Sequence, residues 1–322
     1  MNILLTTQCN LNCRYCFAGA LRSSSVPQEM SLEELETILA TLVPGRDPVR
    51  LMGGEPTLHG AYATIIPSLK KRGYSVTVFT NGINPILRQT APYLPDVILL
   101  NLNQWESYSS REKAALRSNL SALSERVSLA YTIVEPACDL SIHRTLILSE
   151  ALMPVIRLGL AQPVVGGDNT YLPDEDLPAA HQAVVRWAKE LGRDSIRLSL
   201  DCGFMRCFFS DADMDTLIRA GTVINFVCSP TLDVGPGLKV WRCFAFSAGE
   251  GLPWEGFSSE SEQVAWFNGQ DTVERETCRD CVHHASGWCG GGCLARRVNQ
   301  VSWGAGLQED EIIYNIESME KR

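Results

Sequence analysis

The sequence predicts an α/β fold built on a parallel sheet, followed by a small cysteine-rich region. Up to about residue 200, short apolar runs alternate with amphipathic segments. Strands that alternate with helices form parallel sheets with right-handed crossovers. Beyond that point cysteine, glycine and aromatic residues become frequent, and long amphipathic helices become scarce. We therefore predict two domains, 1–200 and 201–322, with the boundary between residues 195 and 205.

Periodicity places the elements of the first domain. The predicted strands cover 2–6, 49–52, 75–80, 97–102, 128–134 and 155–160, with a further strand over 195–200. The predicted helices are one after the capping box Ser31–Glu34, one over 61–72 with a kink at Pro67, one over 107–124, one over 141–152, and one closed by Gly192. In the second domain, 231–234 and 239–244 are predicted to form a β-hairpin around Gly235-Pro236-Gly237.

The composition excludes several classes of partner. The chain has 322 residues, of which 45% are hydrophobic and 20% charged, with a formal net charge of −9. A negative chain is a poor match for nucleic acid or for an anionic membrane surface, because both attract basic faces. No secretory signal and no apolar run of membrane-spanning length is present. We therefore expect a cytoplasmic protein with no nucleic-acid or membrane partner.

Twelve cysteines are the most unusual feature of the composition. Thiols stay reduced in the cytoplasm, so closely spaced cysteines there indicate metal or redox sites rather than disulfides. Scattered structural thiols are the alternative, and they account for Cys138 better than for the tightly spaced groups.

Three of these thiols, Cys9, Cys13 and Cys16, lie in one short loop directly after the first strand. Such a loop can hold three corners of a four-iron cubane, for which thiolate is the usual ligand. The fourth iron would then have no protein ligand, and an open metal position is where substrate chemistry takes place. A zinc loop with a distant fourth ligand is the alternative on spacing alone.

Further polar and glycine motifs follow the next strands. Gly53-Gly54-Glu55-Pro56 comes after the second strand, where glycines let the backbone approach another group closely. Asn81-Gly82 ends the third strand, and Asn101 and Asn103 lie at the end of the fourth. Open α/β sheets bind ligands at the carboxyl ends of their strands. Asparagines in such positions are also common turn formers, which is the alternative explanation for them.

The CxxxCxxC loop with an aromatic residue before its third cysteine, together with GGEP after the second strand, resembles the radical S-adenosylmethionine (SAM) superfamily. The resemblance implies a partial (β/α)6 TIM-like barrel with a 4Fe-4S cluster on Cys9, Cys13 and Cys16. It also implies that SAM chelates the open iron and is cleaved reductively to methionine and a 5′-deoxyadenosyl radical, which removes a hydrogen atom from the substrate. An electron donor such as flavodoxin or ferredoxin is implied as a partner.

The same resemblance assigns SAM-binding residues. Tyr15 occupies the aromatic position, and Phe17 contacts adenine through its backbone. Glu55 binds the methionyl ammonium. The remaining implied contacts come from Gly53, Gly54, Pro56 and Asn81, with Asn101 and Asn103 facing the ribose.

The C-terminal cysteines resemble the SPASM extension or its shorter form, twitch, which holds one or two auxiliary 4Fe-4S clusters. The matching residues are Cys228, Cys243, Cys278, Cys281, Cys289 and Cys293. The chain departs from that pattern in two spacings and lacks a cysteine after Cys293. Cys202 and Cys207 raise the number of thiols to eight, enough for two clusters of four.

Other interpretations of these thiols stay open. With a single auxiliary cluster, Cys202 or Cys207 is free to give a hydrogen atom to a substrate radical. His283 and His284 are either ligands for a vacant corner or plain loop residues. A zinc ribbon is the alternative for residues 278–293.

The predicted function is radical modification of a peptide by cross-linking, epimerisation or oxidation. Radical oxidation or rearrangement of a small-molecule metabolite is the alternative, and an electron carrier or zinc-stabilised binding module is the non-enzyme alternative. The first strand begins at residue 2, so we expect no N-terminal leader-recognition domain. Asp201 and Asp233 are acid–base candidates by position only, since most carboxylates are simply solvated.

Overall fold

One ten-stranded sheet organises the part of the chain that the structure, a computed structural model, describes: residues 1–23, 26–103, 105–257, 259–269 and 273–305. The strands are β1 (Asn2–Thr6), β2 (Val49–Gly53), β3 (Val76–Thr80), β4 (Val97–Asn101), β5 (Val127–Ile133), β6 (Val155–Leu160), β7 (Arg197–Leu200), β8 (Asp233–Gly235), β9 (Lys239–Trp241) and β10 (Leu252–Pro253). The helices are α1 (Leu32–Leu39), α2 (Tyr62–Lys71), α3 (Ile86–Gln89), α4 (Ser110–Leu123), α5 (Ser141–Glu150), α6 (Leu177–Leu191), α7 (Asp211–Arg219), α8 (Glu260–Gly269), α9 (Val282–Ala285) and α10 (Leu294–Ala305).

Strands β1 to β7 lie in sequence order and pair in parallel. The sheet stays open, with β7 at one edge and β10 at the other. The predicted α/β fold with a partial barrel is therefore confirmed. The run over 195–200 supplies a seventh parallel strand, β7, so the barrel has one strand more than the six counted in the prediction.

Side chains from distant strands meet on the concave face of this sheet. The Arg157 guanidinium on β6 lies 5.5 Å from the ring centroid of Phe79 on β3. Two strands separate β3 from β6, and neighbouring strands are about 4.8 Å apart, so a flat sheet would place their backbones roughly 14 Å apart. The contact follows from the curvature of the sheet and the length of the arginine side chain. On the other face, Val76 and Val78 of β3 join the main apolar core.

The predicted hairpin is present as β8 and β9, with Gly237 in its turn at φ +75°. Its first strand pairs in parallel with β1, through Asn2 with Asp233 and Ile3 with Val234. The start of the cysteine-rich region therefore extends the sheet of the preceding region. The division into domains 1–200 and 201–322 stays a prediction.

Local signals explain where several helices begin and end. Ser31 and Glu34 form the predicted capping box at α1, and Ser109 and Glu112 form another, which starts α4 at Ser110 rather than at 107. Helix α6 ends at Leu191 as predicted. Gly192, however, keeps a right-handed helical conformation, and the left-handed residue is Ser195 at φ 60°. In the described part of the chain, no helix is both long and apolar enough to cross a bilayer.

Candidate cofactor-binding site and cysteine groups

The loop that carries Cys9, Cys13 and Cys16 leaves the carboxyl end of β1 and folds back on itself. The Leu11 N–H donates to the Cys9 sulfur at 3.4 Å, and the Cys16 N–H donates to the Cys13 carbonyl at 3.1 Å. Burial is the main cause that raises the pKa of the Cys9 and Cys13 thiols, and the neighbouring sulfurs raise it further. The three thiols are therefore close enough to interact, and each is partly exposed.

Tyr15 connects this loop to the end of β4. Its hydroxyl is hydrogen-bonded to the Cys13 sulfur and accepts a bond from Asn101 Nδ2 at 3.3 Å. Burial strongly raises the pKa of Tyr15, so its hydroxyl stays protonated. Among the described residues, the buried Asn101 Oδ1 has no hydrogen-bond partner. A buried acceptor without a partner costs free energy unless a bound molecule or a water supplies a donor.

The glycines of the GGEP turn allow two backbones to touch. The Gly54 N–H donates to the Thr6 carbonyl at 2.7 Å, and the Glu55 N–H donates to the Gln8 carbonyl at 2.7 Å. A Cβ added at Gly53 would lie 2.3 Å from the Thr6 carbonyl oxygen, and one at Gly54 would lie 2.2 Å from that of Gln8. The close approach expected of these glycines is thus made to the segment that leads into Cys9.

The Glu55 carboxylate ties the ends of β2 and β3 together. It is 1% exposed and accepts bonds from Thr57 Oγ1 at 2.6 Å, Thr80 Oγ1 at 2.7 Å and the Asn81 N–H at 2.8 Å. Burial raises the pKa of Glu55, while these bonds oppose that effect. Pro56 opens a short 3-10 helix directly after it.

The other predicted SAM-binding residues have partners within the chain. Asn81 Nδ2 donates to Asn10 Oδ1 at 2.7 Å and so reaches the cysteine loop. The Phe17 carbonyl accepts a bond from Ser247 Oγ at 3.0 Å. The Asn103 side chain bonds to the backbone N–H and carbonyl of Thr132, which places it against β5.

Asp201 and Asp233, the acid–base candidates, lie in different surroundings. Asp201, at the end of β7, forms an ion pair with Arg157 at 2.5 Å on the concave face. Asp233 is 1% exposed in β8 and accepts a bond from Asn2 Nδ2 at 2.7 Å, and burial raises its pKa to about 7. Sequence reasoning missed Arg157, although one charged residue within the otherwise apolar strand β6 was a usable signal.

Four C-terminal thiols form what we call the first thiol group: Cys202, Cys228, Cys243 and Cys293. Cys293 is hydrogen-bonded to the thiols of Cys202 and Cys228, and the contact with Cys202 is the largest cause that raises its pKa to about 12. Cys228 and Cys243 pack against the apolar cluster that contains Cys293. Burial raises the pKa of Cys243, and Cys293 and Cys228 raise it further.

The other four form the second thiol group: Cys207, Cys278, Cys281 and Cys289. Burial is the main cause of the raised pKa of Cys207, and Cys289, Cys278 and Cys281 raise it further. The pKa of Cys278 is likewise raised, first by burial and then by the neighbouring thiols of Cys289 and Cys281. The residues next to Cys207 and Cys289 also meet, because the Arg206 guanidinium lies 5.4 Å from the centroid of the Trp288 ring.

These groups are defined by neighbouring thiols and not by the geometry of one ion. Within the described ranges, no three His, Cys, Asp or Glu side chains converge on a point that would hold a single metal ion. A tetrahedral zinc site would bring its sulfurs to about 3.8 Å from one another. His284 pairs with Glu274 at 3.0 Å, and His283 packs edge-on against Trp288, so both histidines have neighbours of their own.

Fold and site together define an open α/β barrel whose carboxyl edge carries a cysteine loop beside a glycine turn. The family model described as Radical SAM superfamily matches residues 3–118. This part of the chain therefore carries a radical SAM domain.

Two sequence relatives each match about a quarter of the chain. The 7,8-dihydro-6-hydroxymethylpterin dimethyltransferase of Methanocaldococcus jannaschii is 36% identical over 86 residues, which cover 26% of this chain and 17% of that protein. The S-adenosylmethionine-dependent nucleotide dehydratase of Selenomonas ruminantium is 30% identical over 92 residues, which cover 27% of this chain and 32% of that protein. The matches thus span less than a third of the length of these two relatives.

Two solved structures share the fold over most of the chain. "Native anSMEcpe with bound AdoMet" superposes with a TM-score of 0.65 at 15% identity and covers 99% of both chains. Streptococcus suis SuiB bound to precursor peptide SuiA superposes with a TM-score of 0.65 at 14% identity, covering 92% of this chain and 72% of that one. At such identities the likeness describes the fold alone.

The residues present fit SAM and an iron–sulfur cluster. The cysteine loop offers three neighbouring thiols, a donor set that suits iron–sulfur ligation. Asn101 Oδ1 offers a buried acceptor at the same edge of the sheet.

Proposed function

We propose that this radical SAM enzyme cleaves SAM reductively and removes a hydrogen atom from its substrate. The observation that carries the proposal is the placement of the Cys9–Cys13–Cys16 loop directly against the GGEP turn, by backbone bonds through Thr6 and Gln8. When bound, the cluster and SAM supply one-electron cleavage of the sulfonium to methionine and a 5′-deoxyadenosyl radical. The protein binds, orients and shields these groups.

The cysteine loop and its neighbours would hold the cofactors. Cys9, Cys13 and Cys16 would each ligate one iron of the cluster, and SAM would bind at the iron that they leave open. Tyr15 donates to the Cys13 sulfur and fixes the loop to β4. Asn101 Oδ1 accepts from a ribose hydroxyl, which satisfies its buried lone pairs.

The turn residues would act largely through the backbone. Gly53, Gly54 and Pro56 shape the turn that receives the methionyl group. Glu55 offers a negative charge near the methionyl ammonium while it braces β2 and β3. In the same proposal Phe17 contacts adenine through its backbone, and Asn81 and Asn103 border the ribose side.

A peptide is the proposed substrate class. Support comes from the fold likeness to SuiB, whose structure holds a precursor peptide, and to anSMEcpe, which was solved with bound peptides. The peptide would lie on the concave face, near the Arg157–Asp201 pair and Phe79.

The C-terminal thiols would hold auxiliary iron–sulfur clusters, and a flavodoxin or ferredoxin of the cytoplasm would supply electrons.

A small-molecule metabolite is the second candidate. The observation in its favour is that the curated sequence relatives include a nucleotide dehydratase and GTP 3′,8-cyclases. Adding GTP to the assay below separates the candidates, because a substrate accelerates productive SAM cleavage. Stimulation of 5′-deoxyadenosine release by GTP would favour the metabolite over the peptide.

The proposed reaction is tested with anaerobically reconstituted protein, dithionite and SAM. We expect wild type and the control variant Cys138→Ala to release 5′-deoxyadenosine. Cys138 is a buried thiol that belongs neither to the N-terminal cysteine loop nor to either thiol group. Cys13→Ala should release essentially none. Equal release by wild type and Cys13→Ala would refute the proposed reaction.

A further inference from the structure

A surface pocket lies at the amino end of β7, beside the residues with which helices α6 and α7 end. It has a volume of about 590 Å³, and its charged lining residues are Lys189, Arg193, Arg197 and Arg219. All four are exposed, and none of the described residues that line the pocket is acidic. The formal net charge of the chain is −9, so the pocket locally reverses the charge of the whole molecule.

The dipoles of the two helices account for only part of this positive charge. Lys189 and Arg219 lie in the last turns of α6 and α7, where a cation interacts favourably with the helix dipole. Each helix end is equivalent to roughly half a negative charge, so two ends are matched by about one cation. The pocket contains four, and Arg197 belongs to a strand rather than to a helix.

The carboxylates nearest in sequence do not neutralise the pocket. Asp194, which adjoins Arg193, forms its ion pair with Arg144 at 2.5 Å. Glu190 and Asp215, on α6 and α7, do not line the pocket. Like charges that share a pocket repel one another, which costs folding free energy unless an anion binds between them. The pocket is therefore suited to an anionic ligand.

A glycine makes room for one of the arginines. Gly221 has φ +68°, and a Cβ added there would lie 3.2 Å from Arg197 Cδ. The stem of Arg197 thus packs against the backbone of the turn that follows α7. Ser195 and Thr216 add hydroxyl groups to the lining. A guanidinium placed in this way can bind a carboxylate through two N–H groups.

The surroundings favour carboxylates on an extended chain over a compact phosphate. Phosphate sites commonly use the N-terminus of a helix, where backbone N–H groups point at the ligand. Here α6 and α7 present their C-terminal ends, which carry free carbonyl groups. None of the described lining residues is aromatic, so a nucleotide base would have no ring on which to stack. Long exposed side chains can instead reach several carboxylates of an acidic peptide.

We propose that this pocket binds an acidic segment of the peptide substrate, away from the residue that reacts. Asp201, beside the concave face, follows Arg197 along β7 by four residues, which is about 13 Å in a strand. An extended peptide covers that distance with about four residues. The acidic segment would therefore lie about four or more residues from the reactive one. The inference rests on the proposed function only in that the substrate is a peptide.

Binding of a labelled acidic peptide tests this inference. The probe is a short fluorescein-labelled poly-glutamate peptide, followed by fluorescence anisotropy with the reconstituted full-length protein, and poly-glutamine is the uncharged control. We expect poly-glutamate alone to bind, with a Kd that rises with ionic strength because salt screens exposed charges. Arg197→Gln should raise the Kd about threefold, and Arg197→Gln/Arg219→Gln about tenfold, as for exposed charge pairs.

A double variant elsewhere on the surface separates this pocket from net charge. Lys71→Gln/Arg111→Gln also removes two positive charges, from exposed positions on α2 and α4. It should leave the Kd for poly-glutamate unchanged. Melting temperatures should not fall in the pocket variants, because removing like charges relieves repulsion. A raised Kd at an unreduced melting temperature then reports lost binding and not misfolding.

Three results would overturn the inference. An equal Kd for wild type and Arg197→Gln/Arg219→Gln would mean that the pocket does not hold the acidic peptide. Binding of pyrophosphate but not of poly-glutamate would make it a phosphate site. If the double variant lost 5′-deoxyadenosine release with reduced flavodoxin but kept it with dithionite, the pocket would be a surface for the electron donor. If the Kd pattern holds but wild type releases no 5′-deoxyadenosine, the proposed reaction fails and the acidic-peptide site stands.

Discussion

Gly53 and Gly54 lie where two loops of the site touch backbone to backbone. Their lack of a side chain lets the GGEP turn bond to Thr6 and Gln8, and Cys9 follows directly. A backbone shift in this turn would therefore also move Cys9, the first of the proposed cluster ligands.

Gly54→Ala should damage the N-terminal cluster site. The new Cβ would lie 2.2 Å from the Gln8 carbonyl oxygen, so the backbone must move. We expect a protein with about four irons fewer and almost no SAM cleavage. Gly269→Ala is the control, because a Cβ there meets nothing within 4 Å. Full iron content in Gly54→Ala would show that this contact does not position the cluster.

Asn101→Ala should weaken SAM binding without removing the cluster. It deletes the buried acceptor proposed for a ribose hydroxyl, a bond worth about 1 kcal/mol and hence roughly fivefold in affinity. It also deletes the 3.3 Å bond to the Tyr15 hydroxyl, which keeps its bond to the Cys13 sulfur and so still holds the cysteine loop. The SAM concentration for half-maximal 5′-deoxyadenosine release should rise accordingly, with iron content unchanged. An unaltered SAM dependence would place the ribose elsewhere.

At the residue scale, motif spacing was enough to predict the cysteine loop and the GGEP turn. It could not predict that Glu55 lies under the turn, bonded to Thr80 and Asn81, because those partners come from the next strand. The bond between Asn81 and Asn10 likewise depends on parallel pairing that brings the strand ends together.

The loop between β7 and α7 carries Cys202 and Cys207, one thiol of each thiol group. The His181 side chain connects this loop to helix α6. Its Nδ1–H donates to the Leu177 carbonyl at 2.6 Å, and its Nε2 accepts a hydrogen bond from the Met205 N–H of the loop at 3.3 Å. This arrangement requires a neutral imidazole. Burial lowers the pKa of His181 to about 4.

Acid should therefore destabilise wild type more than His181→Phe. The unfolded chain gains a proton on this residue below about pH 6.5, whereas the folded chain does not until about pH 4. The stability from His181 is thus present above pH 6.5 and is lost as the pH falls toward 4. Melting temperatures from pH 8 to pH 5 should fall more steeply in wild type. Parallel curves would contradict a neutral, loop-holding His181. His143 is buried with a similarly lowered pKa and contributes equally to both proteins.

At the element scale, alternation of apolar runs and amphipathic segments predicted most of β1 to β7 and the helices between them. The pairing of β8 with β1 could not be predicted, because three residues in a cysteine-rich segment carry little periodic signal. Strand β8 forms because the folded sheet presents the free edge of β1 as its pairing partner.

The whole molecule is held together where the two predicted domains meet. Trp241, at the end of β9, is 1% exposed and packs with Leu4, Ala18, Leu21 and Phe244. Ala18 and Leu21 belong to the 3-10 helix that directly follows Cys16. The C-terminal region therefore supports the N-terminal cysteine loop.

Trp241→Ala should weaken both regions at once. Removing a buried tryptophan costs about 3–5 kcal/mol, and the cavity would lie beside the helix after Cys16. We expect a lower melting temperature together with reduced SAM cleavage. Ile218→Ala, at a side chain that is 62% exposed on α7, is the control and should change neither. Normal cleavage by a destabilised Trp241→Ala would mean that the two regions act independently.

The distribution of eight thiols between two groups is a property of the whole molecule. Cys289 and Cys293 lie close together in the sequence, yet the structure places them in different groups. Cys202 follows β7 and Cys243 follows β9, which lie near opposite ends of the strand order, so the members of the first group come together only in the folded chain.

The central claim is that the Cys9–Cys13–Cys16 loop holds a cluster with one iron open to SAM. The most direct measurement is electron paramagnetic resonance of the dithionite-reduced protein with and without SAM. The account predicts that SAM shifts the signal of one cluster and that Cys13→Ala lacks that signal. A spectrum indifferent to SAM, or a loop found to hold zinc, would contradict it.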